Sequence, residues 1–267
     1  MYEAFQSHAE AHGILSDLPS ADVALGVARV YVADPTVYSV VAEIDGMVVG
    51  SNFMLERDAI RTIGPTSVDA RFQGRGVGRA LMEATVERAA GEDVRLVQDA
   101  SNVGSLGLYA SLGFEVKEPL LLVCGQANGQ APSPGAVRRM SIGDLPACNA
   151  LCRKVHGFDR GSELVSAVHL HEAFVRVRDG RITAYVSAAD SWQLNHGVAE
   201  TTDDLQALIA GLSTLRGDEL AFYLPTRNGP LLRWCLAAGF QGLKTATLMA
   251  KGGYKEPHGA FLPSANY

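Results

Sequence analysis

Hydrophobic positions along this chain change period at places that mark out its elements. Met1, Phe5 and Ala9 recur at helical spacing over the first twelve residues. Val37–Ile44 reads as a strand, turned by Asp45-Gly46, with Met47–Phe53 as its hairpin partner. Ile60–Val68 is a further strand. A glycine-rich turn follows, and then a helix over Gly78–Ala90 with Leu81, Met82 and Val86 on one face. Val94–Val97 predicts a short strand, Ser105–Leu112 a helix stopped by Gly113, and Phe114–Val123 a returning strand. Helix, β-meander and β-α-β-α-β in that order predict a mixed α/β fold (α+β), with a central sheet flanked by helices.

The run from Gly125 to Gly135 has no hydrophobic period and is dense in turn residues, so 126–135 reads as a linker between two nearly equal parts, 1–125 and 136–250, with a tail over 251–267. The second part echoes the first. Val137–Met140 is strand-like, and Ser141 with Asp144 resembles a capping box opening a helix through Val155. Phe174–Val177, Asp179-Gly180 and Ile182–Ala188 repeat the hairpin. Asn102, Tyr109, Gly113 and Phe114 are matched at identical spacings by Asn228, Cys235, Gly239 and Phe240, which indicates an internal duplication.

Composition narrows the function. A net charge of −6 without a run of like charges excludes nucleic acid as the main partner. Apolar stretches are of strand length, so no membrane span is expected, and Met1–Phe5 shows no signal peptide. Of Cys124, Cys148, Cys152 and Cys235, none completes a zinc-ligand spacing, so buried reduced thiols, no metal and a cytoplasmic location are expected.

The informative segment is Val68-Asp69-Ala70-Arg71-Phe72-Gln73-Gly74-Arg75-Gly76-Val77-Gly78-Arg79. A strand runs through glycines straight into a helix, and unsatisfied N–H groups plus the helix dipole there suit a pyrophosphate. Arg75 and Arg79 add positive charge. Gly74, Gly76 and Gly78 give G-x-G-x-G, which fails the Rossmann fingerprint, and no Lys-Ser/Thr follows to make a P-loop. The segment resembles the central motif of the GNAT acyltransferase superfamily, Gln/Arg-x-x-Gly-x-Gly/Ala, through Gln73, Gly76 and Gly78. The second hallmark follows as Asn102, Leu108-Tyr109 and Gly113-Phe114.

That resemblance covers Val37 to Val123 well and the second part more weakly, and it implies a tandem protein of two GNAT-like lobes. It implies a mixed sheet whose central strands splay to admit acetyl-CoA, with backbone of Val68, Asp69 and Ala70 beside the pantetheine arm. Gln73, Gly74, Arg75, Gly76, Val77, Gly78 and Arg79 would hold the pyrophosphate, Asn102 would touch the cofactor arm, and Tyr109 would lie near the thioester sulfur. Where family members often carry proline, this chain has Ala70.

An acceptor amine near pKa 10.4 is only about 0.04% neutral at pH 7, so the site must remove a proton or bind the neutral form. Tyr109 is either the acid that protonates the departing thiolate or a packing residue. Asp99 is a candidate base, with Glu43, Glu56 and a water relay as alternatives. His8 and His12 share a helix face at i, i+4, a metal-pair spacing that surface histidines also produce.

The second lobe has Thr201-Thr202-Asp203-Asp204-Leu205 where the first has its glycines, and Cys235 for the tyrosine. It is expected not to use acetyl-CoA, and the tail is expected to pack near the first lobe and wall the substrate site. The first lobe begins inside a helical pattern with no strand or cap before it, so its sheet is expected to be one strand short. An upstream start is preferred over a fold that tolerates the loss. The activity implied is N-acetyl transfer to a primary amine of a small molecule or protein by direct attack on the thioester, in a monomer or homodimer. The alternative is a non-catalytic acyl-CoA-binding sensor.

Overall fold

The structure, a computed structural model, describes residues 1–129 and 136–266. It is mixed α/β, and its residues form two compact units: Met1–Lys117 with Thr247–Tyr254 and Asn266, and Glu118–Ala246 with Lys255–Ala265. The units do not coincide with the sequence halves. Part of the expected linker, 130–135, lies outside the described residues, and residues 126–129 form neither helix nor strand.

The first unit opens with α1 (Tyr2–His12), closed by Gly13 at φ 62, and α2 (Ala21–Ala33). β1 (Val37–Ile44) and β2 (Met47–Leu55) form the expected hairpin, and Asp45 and Gly46 both take positive φ (51 and 77), as a two-residue I′ turn requires. The single strand expected over Ile60–Val68 is in fact two, β3 (Arg61–Ile63) and β4 (Ser67–Val68). Pro65 between them has no N–H to continue a ladder. α3 (Val77–Ala89), β5 (Val94–Asp99), α4 (Val103–Ser111) and β6 (Glu115–Gly125) follow close to their predicted places.

α2 was not legible in the pattern. Ser20 caps it, accepting the Val23 N–H, yet Ala24 alone is buried, and Val23, Leu25, Val30 and Val32 are exposed. A helix without a buried stripe leaves no 3.6-residue period to read.

In the second unit, β7 (Val137–Arg139) leads through the Ser141/Asp144 capping box into α5 (Leu145–His156) and α6 (Gly161–Leu170). β8 (Phe174–Arg178), β9 (Arg181–Val186), β10 (Gly197–Ala199), α7 (Thr202–Arg216), β11 (Leu220–Pro225), α8 (Gly229–Ala237), β12 (Gln241–Lys251) and β13 (Ala260–Leu262) complete it. One sheet runs β13-β10-β9-β8-β7, and β12, β6 and β11 are neighbours in that order. The order helix-helix-strands-helix-strand-helix-strand thus occurs twice.

Two features depart from the expected lobes. Beyond Lys117, β6 counts with the second unit, where it pairs with β11 from Leu120↔Pro225 to Gly125↔Leu220. Conversely, Thr247–Lys251 of β12 count with the first unit, whose strand order is β1-β2-β3-β5-β12. The tail also divides. β13 pairs with β10 in the second unit, whereas Tyr254 lies under the Arg95 guanidinium in the first, 5.0 Å from ring centre to Cζ.

Candidate functional site

In the first unit the sheet opens at one place. β3 runs parallel to β5 through Arg61↔Val94 and Thr62↔Arg95. After the Gly64-Pro65 break, β4 pairs with β2 through Gly50↔Val68 and Ser51↔Ser67, and β5 continues to Asp99 without β4 beside it. The expected splay is therefore present, between Ser67–Val68 and the last residues of β5. Gly50 makes the β2 side possible, since a β-carbon there would lie 2.9 Å from the Ser67 carbonyl oxygen and 3.0 Å from Leu81.

From β4 the chain passes into a 3-10 turn, Ala70–Phe72. The Asp69 N–H donates to the Val49 carbonyl (2.9 Å), and its carboxylate accepts from the Arg71 N–H and guanidinium. Those hydrogen bonds hold the Asp69 carboxyl down at about 2. The Gln73 amide donates to the Val68 carbonyl at 3.1 Å. Gly74 and Gly76 then take φ 73 and 84, and a β-carbon on either would meet nothing within 4 Å. These glycines are needed for left-handed backbone rather than for close packing within the chain.

α3 starts at Val77 with Gly76 as its cap residue and no side-chain cap hydrogen bond. The N–H groups of Val77, Gly78 and Arg79 have no intrahelical partner by construction. Val77 is buried with Val49 and Leu81, which anchors the turn, while Gln73, Gly74, Arg75, Gly76 and Arg79 are exposed. Arg75 stacks over Phe72 at 5.5 Å, and Arg79 donates to Ser111 Oγ at 2.9 Å. An uncapped, exposed helix start at the mouth of an opened sheet fits an anionic ligand with an extended arm.

Tyr109 on α4 is 8% exposed, its ring packed with Met54, Ile63, Met82 and Phe114. Burial raises its pKa, against hydrogen bonds to Thr66 and Ser105 that lower it. Thr66 immediately precedes β4, so the phenol oxygen lies at the root of the gap. A buried polar thread continues from there: Thr66 Oγ1 donates to Asn52 Oδ1 (2.7 Å), Asn52 Nδ2 to Thr85 Oγ1 (2.9 Å), and Thr85 Oγ1 to the Leu81 carbonyl (2.8 Å). Asn52 and Thr85 are fully buried. Sequence reading passed over all three residues. A buried Asn amid Gly50, Ser51 and Phe53 on an apolar strand was the available signal.

Asn102 serves a structural role that its motif does not announce. Its Oδ1 caps α4, accepting the Ser105 N–H at 3.0 Å. Asn228 does the same for α8 through the Leu231 N–H at 3.2 Å. Gly113 and Gly239 both take positive φ, 88 and 106, and Phe114 and Phe240 are both buried. The duplicated Asn–Gly–Phe spacing is thus a helix cap, a helix stop and a core anchor. The difference lies at Nδ2. Asn228 donates to Thr202 Oγ1 at 3.4 Å in the first turn of α7, whereas Val77 in the first turn of α3 offers no acceptor.

Asp99 ends β5 half-buried, and its carbonyl accepts the Asn102 N–H at 2.9 Å. Glu56 is held bidentate by Arg88, at 2.9 and 3.0 Å, which lowers its pKa and removes it as a free base. Glu43 is exposed on β1, separated from the gap by β2. His8 reaches Ser101 Oγ at 3.2 Å, and its ring lies 4.3 Å from that of His12. Among the described residues no group of three His, Cys, Asp or Glu side chains is placed to hold a metal ion, and no helix is long and apolar enough to cross a membrane. None of the four cysteines is in a disulfide.

Residues 35–116, which contain the gap, the glycine turn and α4, match the acetyltransferase (GNAT) domain family. An uncharacterised N-acetyltransferase of Methanocaldococcus jannaschii is 34% identical over 88 residues, covering 29% of this chain and only 39% of that relative's length. The fold is similar to that of a GCN5-related N-acetyltransferase from Sphaerobacter thermophilus, with TM-score 0.64 and 17% identity over 97% of this chain and 94% of that one. It is also similar to a tandem GNAT protein from the clavulanic acid biosynthesis pathway, with TM-score 0.55 and 14% identity over 98% and 93%. Residues 35–116 are thus similar to a GNAT acetyltransferase domain, and the fold along the chain is like that of tandem GNAT proteins.

Proposed function

We propose that this protein is a cytoplasmic acetyl-CoA-dependent N-acetyltransferase that acetylates a primary amine, on a small molecule or a protein, using one cofactor site in the first unit. The observation that carries this reading is the gap between β4 and β5 ending at the uncapped start of α3. When bound, acetyl-CoA supplies an activated acetyl thioester. The N–H groups from Gly74 to Arg79 hold its pyrophosphate, with Arg75 adding charge. Backbone of Val68, Asp69 and Ala70 aligns the pantetheine arm. Pairing at the Val68 carbonyl displaces the Gln73 amide, which an exposed side chain concedes at small cost.

Tyr109 donates the proton that the departing thiolate needs. Its burial keeps the phenol protonated across the physiological range, with Thr66 and Ser105 fixing the oxygen. A second reading, an acyl-CoA sensor without turnover, draws on the same residue, because the phenol is deeply buried and already hydrogen-bonded. Thiol release from acetyl-CoA across a panel of primary amines separates the two, since a sensor binds the cofactor and releases no thiol. Tyr109→Phe is expected to lower kcat about 10²-fold with acetyl-CoA affinity nearly unchanged. An unaltered chemical rate assigns Tyr109 to packing alone.

A further inference from the structure

Glu56 is committed to Arg88 and Glu43 lies away from the gap. Of the carboxylates considered, only Asp99, at the end of β5, remains near the proton that a protonated amine must lose, and its surroundings offer a second route. α1 packs against β4 and against the 3-10 turn on one side of the gap. From the same helix His8 Nε2 reaches Ser101 Oγ, two residues past the end of β5, on the other side. The helix therefore spans the mouth of the opened sheet and carries a half-buried imidazole to its far edge.

From this placement we infer that His8, acting through the Ser101 hydroxyl, is the general base for the acceptor amine. The inference rests on the acetyltransferase reading above. Ser101 Oγ–H donates to His8 Nε2, and the serine oxygen accepts a proton from the ammonium as its own proton passes to the imidazole. The freed nitrogen lone pair forms the C–N bond while the C–S bond breaks. The Tyr109 phenol protonates the thiolate, and the second proton leaving nitrogen restores the phenol. The proton held on His8 leaves to water past His12, whose ring is exposed and adjacent.

The charged groups around this pair suit a base. His12 is the neighbour on its own helix, its ring centre 4.3 Å from that of His8. Asp99 closes the strand that leads to Ser101. On the opposite edge Asp69 and Arg71 neutralise one another, with Glu3 of α1 also acting on Arg71.

The experiment measures the pH dependence of kcat/KM with acetyl-CoA and the panel amine that the wild type turns over fastest. It compares wild type with His8→Gln, His8→Ala and Ser101→Ala, with acetyl-CoA affinity by calorimetry as a check on folding. His8→Gln keeps the hydrogen bond to Ser101 but holds no proton. We expect it to lower kcat/KM about 10²-fold and to abolish the acid limb of the profile, with cofactor affinity within twofold of wild type. Ser101→Ala gives the same loss, and added imidazole restores part of the His8→Ala rate. Wild-type activity with an acid limb that survives His8→Gln overturns this inference alone. A wild type that acetylates no amine overturns the acetyltransferase reading as well.

Discussion

The starts of α3 and α7 occupy the same place in two copies of one element order, and they treat negative charge in opposite ways. At α3 the cap position is Gly76, no side chain satisfies the first turn, and the residues before it are exposed. At α7 the Thr201 hydroxyl accepts the Asp204 N–H at 3.1 Å, and the Asp204 carboxylate, 2% exposed, sits inside the first turn. Arg178 grips that carboxylate at 2.9 Å through two nitrogens, and Thr183 and Thr201 donate at 2.8 and 2.7 Å. Burial alone would raise the Asp204 pKa, and these hydrogen bonds outweigh it and hold it below the usual range. The second copy has built its anion into the chain, and on the proposed reading the first leaves the position for one that arrives from outside.

The sharpest way to break this contrast is to remove the built-in anion. Asp204→Ala leaves Arg178 to Glu200 and Asp179 and strands two hydroxyls around a buried vacancy, and we expect a loss of about 3 kcal/mol for the hydrogen bonds to the charged group. The chain's two tryptophans, Trp192 and Trp234, both lie in the second unit, so urea unfolding followed by their fluorescence reads it directly. Acetyl-CoA stoichiometry is expected to stay at one per chain. A loss under about 1 kcal/mol, the size of an ordinary cap, would show that Asp204 does no more than cap.

Gly76→Val tests the other side. With φ at 84, a branched side chain strains the backbone by about 1–2 kcal/mol and obstructs the approach to the N–H groups. Calorimetry is expected to show acetyl-CoA affinity reduced at least 10²-fold, about 2.7 kcal/mol. An unchanged Kd, or two equivalent sites in the wild type, contradicts the contrast.

Asn102→Ala and Asn228→Ala form a matched pair, each expected to cost about 1 kcal/mol for the lost cap. Only the first is expected to weaken acetyl-CoA binding as well. Equal effects on affinity would reduce Asn102 to its cap. The smallest effect is acid sensitivity. Arg181 and Lys154 hold Glu200 down at about 2, and Asp204 is depressed too. Stability from such groups is present above the unfolded carboxylate range, about pH 4, and is lost as pH falls through their folded values. Tryptophan fluorescence is expected to show the second unit weakening progressively below about pH 4.

Local chemistry was what the sequence could express. Asp45-Gly46 announced its turn and the Ser141/Asp144 box its helix start, because each is complete within a few residues. The glycine run before Val77 was legible as an uncapped helix start because it lacks what other helix starts contain. The thread from Tyr109 through Thr66 and Asn52 to Thr85 was not legible, since it joins residues brought together only by packing of α3 and α4 on the sheet. Asp204 stands in the sequence only as an acid where the first lobe has its glycines, whereas it is neutralised within the fold by Arg178, a partner 26 positions earlier. The Asn–Gly–Phe echo was detected correctly but carries folding information in both copies, which spacing alone cannot distinguish from chemistry.

The sharing of β12 has a consequence in time. The first unit contains the whole glycine motif and α4 by Lys117, yet its sheet also includes Thr247–Lys251. A ribosome adding ~5–20 residues per second reaches that segment roughly 6–26 s after Lys117. During that interval the nascent first unit has β5 without its later neighbour β12, so an exposed strand edge must stay out of trouble beside other emerging chains. A message cut short before Thr247 yields every residue of the motif and still not the finished sheet that displays it.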